Sequence, residues 1–524
     1  MASTKTRVCI VGAGASGMSC AYALSRHPDK YEVTVFDKEP EAGGMATSIP
    51  IDAERYGASY INDGVQGCSP TFANTIKMFK LLGYECSSVG MQISFGKSES
   101  TFWSNVFPSP MIREFESDIK KFGRALKTIK RLEPIFAFIS VQAMLKLFRF
   151  NPDFGDRMVY PLVALFFGTG NQTPYVSCAI LCRVFLDPNM KLFEFDEKSL
   201  LASIPEMFAF PRLGEVYGAW KKDIEGTGCA TFKLGVEVKQ VVQRKNRKNG
   251  GVVVEYAEGE GEELKTATFD ELVMAVDADA ALKILGKSAS WMERQVLGSV
   301  KYLYDVTITH NDLDYMNKHY ETHFKDELAA EPSSKDDEEA LLLGQKEFKP
   351  LYYTKQYDED KSKIEMSFDL THYQPQFKGT ASSPKDKTLD HTPHDERPME
   401  QHVFQTIFLD RDSSEHLWTW NEIPEEKRLK EKWWKQQSHR WQHYAKVVPW
   451  MMFINGKNHT YFAGAWTILN MHELAVTSGF SAAYRLGADF PFRGDGECER
   501  LFKLYLAASH GMRARKEDRQ GFFA

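Results

Sequence analysis

Val8, Ile10 and Val11 form a short apolar run of the kind a strand buried on both faces needs, and Gly12, Gly14 and Gly17 follow at once. The next stretch, MSCAYALSR, places apolar residues at helical spacing, with Ala21 and Ala23 small enough for close packing. YEVTVFDKE, residues 31 to 39, is a second β-rich run and carries Asp37 near its end. The pattern predicts strand, glycine turn, helix, strand and acid. Glycine costs backbone entropy in regular structure, so three at G-x-G-x-x-G spacing require a reason. In this context the reason is a dinucleotide-binding βαβ unit. Gly12 permits the tight turn, and Gly14 with Ala15 and Ser16 brings backbone N–H groups to a pyrophosphate. Gly17 lets helix and strand pack, the helix N-terminus adds partial positive charge, and Asp37 accepts hydrogen bonds from an adenosine ribose.

Further along, residues 231 to 285 read as a β-meander, a strand and a helix, with Asn249-Gly250 as a hairpin turn. YLYDVTITH, KIEMSFDLTHY and HVFQTIFLD are strand-like runs of an antiparallel sheet, and residues 96 to 205 read mainly helical. The longest apolar stretch, RLEPIFAFISVQAMLKLFRF (131 to 150), is interrupted by Pro134 and Gln142 and edged by Lys146 and Arg149. A buried helix of a cap is the favoured reading; a basic-edged helix lying on a membrane or lining a lipid tunnel is the alternative. KDELAAEPSSKDDEEALLLGQKEFK and KGTASSPKDKTLDHTPHDERP are charged and poor in aromatics, as surface or disordered loops are. The tail beyond Pro491 holds an amphipathic helix expected to dock on the surface. The organisation expected is a discontinuous cofactor domain from 1–95, 206–286 and 446–490. A substrate domain from 96–205 and 287–445 and a C-terminal tail from 491–524 complete it.

At 524 residues the chain exceeds what one core organises, and 43% apolar with 26% charged residues is ordinary for a globular protein. A net charge of -6 gives no basic face for nucleic acid. The eight cysteines show no CxxC pair, so reduced thiols and no metal site are expected. MASTKTR runs into the first strand without an apolar leader, and no apolar run reaches the ~20 residues a bilayer requires. A cytoplasmic chain is expected, soluble or peripheral to a membrane.

Immediately after Asp37 comes KEPEAGGMATS, with a second glycine pair at Gly43 and Gly44. Here the sequence resembles the flavin-containing amine oxidase and phytoene desaturase superfamily, in which E-x-x-x-G-G lies against the flavin diphosphate and ribitol. The resemblance implies cofactor contacts at Lys38, Gly43, Gly44 and Met45. It also puts Val238 where a backbone contact to adenine is usual. HTYFAGAWTILNMHELAVTSGFSAAYRLGADF resembles the closing flavin motif, implying cofactor contacts at Gly464, Ala465, Glu473 and Leu474. In that motif a helix N-terminus points at the flavin pyrimidine. Gly464, Ala465, Trp466, His472, Glu473, Ser478 and Gly479 are most similar to a subgroup of FAD-dependent oxidoreductases related to fatty-acid double-bond isomerases. Amine oxidases usually carry Gly-Glu where this chain has Gly464-Ala465. The fold implied is α/β: a Rossmann-type FAD-binding domain, glutathione-reductase-2-like, with an inserted α+β substrate domain of antiparallel sheet and helical cap. The cofactor implied is non-covalent FAD.

FAD would supply the redox power, leaving orientation and one acid or base to the protein. Candidates are Glu473 and His472 in the closing motif, His310 with Asp312 after a strand, and Asp369 and His372 in SFDLTHY. Each has a structural alternative as a helix cap or core residue. Arg55 could bind a carboxylate or phosphate, or form a surface ion pair. Tyr444 and Trp466, in an aromatic cluster with Trp433, Trp434, Trp441 and Trp450, could sandwich an amine as amine oxidases do. The first functional reading is an FAD-dependent oxidoreductase taking hydride from an apolar, fatty-acyl or polyene-like substrate. The alternatives are a redox-neutral fatty-acid or polyene double-bond isomerase, a flavin amine oxidase, and a non-catalytic binding protein on the same fold. On these readings Glu473→Gln spares FAD and alters flavin reactivity.

Overall fold

Five parallel strands carry the glycine loop, in the order Ala230–Leu234, Tyr31–Asp37, Thr6–Val11, Glu271–Met274 and Thr460–Phe462. We label Thr6–Val11 β1, the following helix Ala15–Ser25 α1, and Tyr31–Asp37 β2. The computed structural model describes residues 5–168, 170–188, 190–201, 204–244, 251–259, 261–378 and 397–518. Alternation along β1 explains the burial on both faces. Val8 and Ile10 join Val33 and Val35 in one core, while Cys9 and Val11 join Phe36, Leu272 and Met274 in another. On the first face α1 packs beside the helix His472–Leu486, through Met18, Ala21 and Leu24 against Val476, Phe480 and Ala483. The second face is covered by an antiparallel sheet of Glu237–Arg244, Val252–Ala257 and Lys265–Phe269.

A seven-stranded sheet stands over this unit, in the order Arg428–Gln437, Tyr302–His310, Phe404–Phe408, Ile364–Asp369, Tyr352–Gln356, Ile93–Phe95 and Trp103–Ser104. Two strands depart from the sequence expectation. Ile93–Phe95 pairs in parallel with Tyr352–Gln356, so the substrate-side sheet begins before the expected boundary at residue 95. Arg428–Gln437 reads RLKEKWWKQQ and carries no apolar alternation, yet it pairs along the whole of Tyr302–His310. It is an edge strand, and its lysines keep that edge from templating another sheet.

Helices Glu116–Arg131, Tyr160–Phe167 and Cys178–Leu186 build the largest core with the sheet. The apolar stretch 131 to 150 is not one buried helix. Pro134 opens Glu133–Phe136, and Ser140 caps Val141–Leu147 by accepting from the Ala143 N–H. Phe136, Val141, Met144 and Leu145 are buried, but Leu132, Ile135, Phe138 and Leu147 are exposed. The expected loop 325 to 349 contains a helix, Lys335–Glu347, capped by Ser334, with Asp336, Asp337 and Glu338 in its first turn. Local capping thus overrides a loop-like composition. Asn249-Gly250 and residues 379 to 396 of the second expected loop lie outside the described residues. The tail helix, Gly496–His510, is capped by Asp495 and docks through Leu501, Phe502, Tyr505 and Leu506. All eight cysteines are free thiols. Among the described residues no helix is long and apolar enough to cross a membrane.

Burial sets a pH limit on this fold. His310, His439 and His510 are pushed down to about 3 and His443 and His472 to about 4, chiefly by loss of solvent. An unfolded histidine binds its proton near pH ~6.5, so unfolding takes up protons between that value and the folded ones. His402 works the other way: burial lowers it, but the Asp369 carboxylate more than offsets this and its net shift is upward. His319 is also lowered by burial, so six histidines stand against one, and the thermal midpoint is expected to fall as pH drops from about 6.5 towards 4, measured by thermal unfolding across a pH series.

Candidate functional site

A cavity of about 1180 Å³ runs from the carboxyl ends of β1 and β2 to the inner face of the seven-stranded sheet. Open parallel sheets bind ligands at this end of their strands. Two glycine turns meet there. Gly14 bridges to Gly43, and the Gly43 N–H donates to the Ala13 carbonyl at 3.0 Å. A Cβ added at Gly17 would sit 1.8 Å from the Gly12 carbonyl oxygen, so that glycine closes the turn onto the helix. A Cβ at Gly14 would find no atom closer than the Gly44 Cα at 3.9 Å. Its space opens into the cavity, a cradle that a side chain would fill.

Asp37 ends β2 with its carboxylate fixed: Oδ2 accepts from the Ala13 N–H at 2.6 Å and Oδ1 from the Glu39 N–H at 2.9 Å. Burial raises its pKa, and these two N–H donors oppose the rise. Ala15 and Ser16, in the first turn of α1, line the cavity, and no side chain caps that turn. Lys38, Gly12, Gly43, Gly44 and Met45 line it too. Val236, Val238, Lys283 and Ile284 wall the end beside Asp37, where the pairing of Val238 with Tyr256 precedes a bulge. Opposite, Gly464, Ala465 and Trp466 meet the start of the His472–Leu486 helix, which has no side-chain cap. The Trp466 indole donates to the Val276 carbonyl at 3.0 Å, which pins it against the wall.

Beyond the glycine turns the cavity widens into an apolar chamber lined by Phe166, Phe167, Tyr352, Phe368, Tyr373 and Ile407. One ion pair interrupts it. Lys432 Nζ lies 2.8 Å from Asp63 Oδ2 and donates to Thr47 Oγ1 at 2.9 Å. Gln405 donates to Asp63 Oδ1 at 3.1 Å, and Gln66 donates to Gln405 at 2.8 Å. The ammonium stands 4.1 Å from the Trp434 ring centroid. Asp63, Gln66, Gln405, Lys432 and Trp434 all line the cavity. Sequence reasoning missed Lys432 and Asp63, because neither lies in a recognisable motif and Arg428–Gln437 was not read as a strand. The only signal available was lysine and tryptophan two apart in KWWK.

The structure disperses the acid–base candidates. Glu473 is turned away from the cavity and caps a different helix, Ala73–Leu81, whose own cap position is Phe72. Its Oε1 accepts from the Asn74 N–H at 2.9 Å and side chain at 2.7 Å, and its Oε2 from the Thr75 N–H at 2.8 Å. His472 lines the cavity, but Thr75 Oγ1 at 3.0 Å and the Tyr217 hydroxyl at 2.7 Å engage its two ring nitrogens. Burial holds it neutral, at about 4. His310 is a core residue bonded to Thr406 Oγ1, and Asp312 caps Leu313–His319. Asp369 caps Leu370–Tyr373 and bonds His402 Nδ1 at 2.8 Å, with His372 Nδ1 at 3.1 Å. Burial would raise its pKa, but the two histidines hold it well below the carboxylate range. His310, Asp312, Asp369, His372 and His402 all lie outside the cavity wall. So do Gly17 and Leu474, which pack behind it, and Tyr444, which is buried in another core from Trp466. No Tyr444–Trp466 sandwich forms. Arg55 is exposed and leans over Tyr56, its guanidinium carbon 5.1 Å from the ring centroid, so it is no pocket residue.

The placement of Glu473 changes what its substitution does. Glutamine would turn an N–H₂ towards one of the backbone donors, leaving a buried donor facing a donor. Glu473→Gln is expected to cost about 1–3 kcal/mol of stability. Chemical denaturation of the two proteins checks it.

A sequence family described as an NAD(P)-binding Rossmann-like domain matches residues 10–75. A search of curated protein sequences finds no match. Among solved structures, a CLA-producing fatty acid isomerase from P. acnes is similar with a TM-score of 0.58 and 12% identity, covering 92% of this chain and 99% of that one. Putrescine oxidase bound to putrescine is similar with a TM-score of 0.56 and 12% identity, over 92% and 99%. Cyclohexylamine oxidase from Brevibacterium oxydans gives a TM-score of 0.54 and 12% identity, over 92% and 100%. The chain therefore shares its fold with these solved structures: a Rossmann-type unit with an inserted mixed sheet and helical cap.

Proposed function

We propose that the chain binds FAD non-covalently and uses it to take hydride from an apolar, fatty-acyl or polyene-like substrate. The observation that carries this reading is one continuous cavity joining a double-glycine cradle to an apolar chamber. Its ~1180 Å³ exceeds the ~300–1,000 Å³ of an ordinary single-ligand site, leaving room for a dinucleotide and a substrate together. When bound, FAD would supply a two-electron acceptor. The chain's own residues would do the rest. Gly14 leaves backbone open to a diphosphate beside the turns that Gly12, Gly43 and Gly44 make, and the uncapped first turn of α1 favours its charge. Asp37 is held by Ala13 and Glu39 with lone pairs to spare for ribose hydroxyls. The start of His472–Leu486 would favour negative charge on the nearby ring. Phenylalanine and tyrosine walls would shield the chamber, and Lys432 Nζ, oriented by Asp63 and Thr47, presents its N–H groups at the chamber's polar spot.

An amine substrate is the weaker reading, because the expected Tyr444–Trp466 sandwich does not form and the Asp63 carboxylate in the chamber is already paired with Lys432. A second reading, redox-neutral migration of a double bond, is supported by the likeness to a fatty acid isomerase and needs the same parts. A visible spectrum of the purified protein, followed by anaerobic addition of fatty acids, polyenes and amines, tests both. Oxidised-flavin bands bleached by an apolar substrate are expected for net oxidation. Product formed under persisting oxidised bands would select the isomerase, and bleaching by amines alone would overturn the apolar reading. No flavin after reconstitution would leave a non-catalytic binding protein.

A further inference from the structure

Residues 132 to 147, which leave the helix Glu116–Arg131 and end with the helix Val141–Leu147, carry apolar side chains that no described part of the fold covers. Leu132 is 46%, Ile135 60%, Phe138 49% and Leu147 61% exposed. Their neighbours Phe136, Val141, Met144 and Leu145 are buried, so the two short helices are anchored from beneath and present their other sides outward. A cluster of large apolar side chains in water is costly and marks an interaction surface.

The charge around it is one-sided. Arg124, Lys127 and Arg131 follow one another at helical spacing along the exposed side of Glu116–Arg131, with Phe122, Leu126 and Ile129 buried behind. Lys130, Lys146 and Arg149 complete an exposed basic ring. The acids of this segment are already engaged. Glu116 pairs with Lys120, Glu133 with Arg183, and Asp118 accepts from the Asn151 N–H. This concentration of positive charge sits on a chain whose net charge is -6.

We infer that this face docks on an anionic phospholipid bilayer, with Ile135, Phe138 and Leu147 inserted below the phosphates and the basic ring against them. Apolar side chains rimmed by lysine and arginine are what an interfacial surface requires, each basic residue near the headgroups adding to the attraction. A second copy of the chain is the poorer occupant. A two-fold contact would bring the same basic ring against itself. Docking of this face needs no flavin, and the assay reads binding alone.

The experiment is co-sedimentation of the full-length protein with vesicles of phosphatidylcholine, with and without phosphatidylserine. Binding to the serine-containing vesicles is expected to be at least roughly tenfold tighter and to weaken as salt is raised. The double variant Ile135→Ser/Phe138→Ser should lose binding to both, and Lys127→Glu/Arg131→Glu should lose only the preference for phosphatidylserine. All four side chains are exposed; if a thermal melt shows a variant destabilised, Leu147→Ser replaces the serine pair and Lys146→Glu/Arg149→Glu the glutamate pair. Failure to pellet with either vesicle, or pelleting unchanged in Ile135→Ser/Phe138→Ser, would overturn the inference. So would a dimer in light scattering that the same double variant dissociates.

Discussion

Gly14→Ala is expected to leave the protein folded and empty it of cofactor, whereas Gly17→Ala should damage both. The two positions belong to one motif, yet the space around them differs. At Gly14 the backbone is extended, with φ -75° and ψ -175°, a conformation alanine adopts freely. The added methyl meets no protein atom closer than 3.9 Å and projects between the two glycine turns. Its cost therefore falls on the ligand. FAD affinity should drop at least tenfold, about 1.4 kcal/mol, with an unchanged thermal midpoint in the absence of cofactor. At Gly17 the methyl would lie 1.8 Å from the Gly12 carbonyl oxygen, backbone against backbone, where no rotamer can yield. The cost there is about 1–3 kcal/mol or more of fold stability, with the cradle displaced as well. Flavin absorbance per chain and thermal unfolding of the two variants measure this. Equal FAD content in Gly14→Ala and the parent would show that the diphosphate does not cross that glycine.

The second large effect is at Lys432. Lys432→Met should retain FAD and lower turnover by about 10²–10⁴-fold, the usual contribution of a positioned proton-handling group. The substitution also strands Asp63, which is buried and would lose its counter-ion. Asp63→Asn in the same chain removes that charge. If turnover stays low in Asp63→Asn/Lys432→Met while stability recovers, the ammonium itself is what the reaction uses. Turnover restored in the double variant would mean that Lys432 serves only to neutralise Asp63.

How much of this was legible depended on the range of the interactions involved. The glycine loop, α1, β2 and Asp37 are contiguous, and each follows from local rules of turn, helix and strand, so the sequence pattern and the structure agree there. The closing helix was legible for the same reason and starts at His472. The acid–base candidates were not. Glu473 has the composition of a cofactor-facing acid, but which helix start it caps is decided by how His472–Leu486 packs on Ala73–Leu81. Asp369 and His310 look catalytic in SFDLTHY and VTITH, and the sheet buries both away from the cavity.

The sequence by itself determined the Rossmann-type unit, the acid that ends its second strand and the second glycine pair, because short contiguous segments follow local rules of turn, helix and strand. Only the tertiary structure decided the chamber. Asp63 and Lys432 are separated by most of the chain and meet because an edge strand returns to the glycine turns. Long-range pairing of that kind leaves no periodicity to read. A charge pair becomes a functional group when the packing around it excludes water, and that exclusion is a property of the assembled fold.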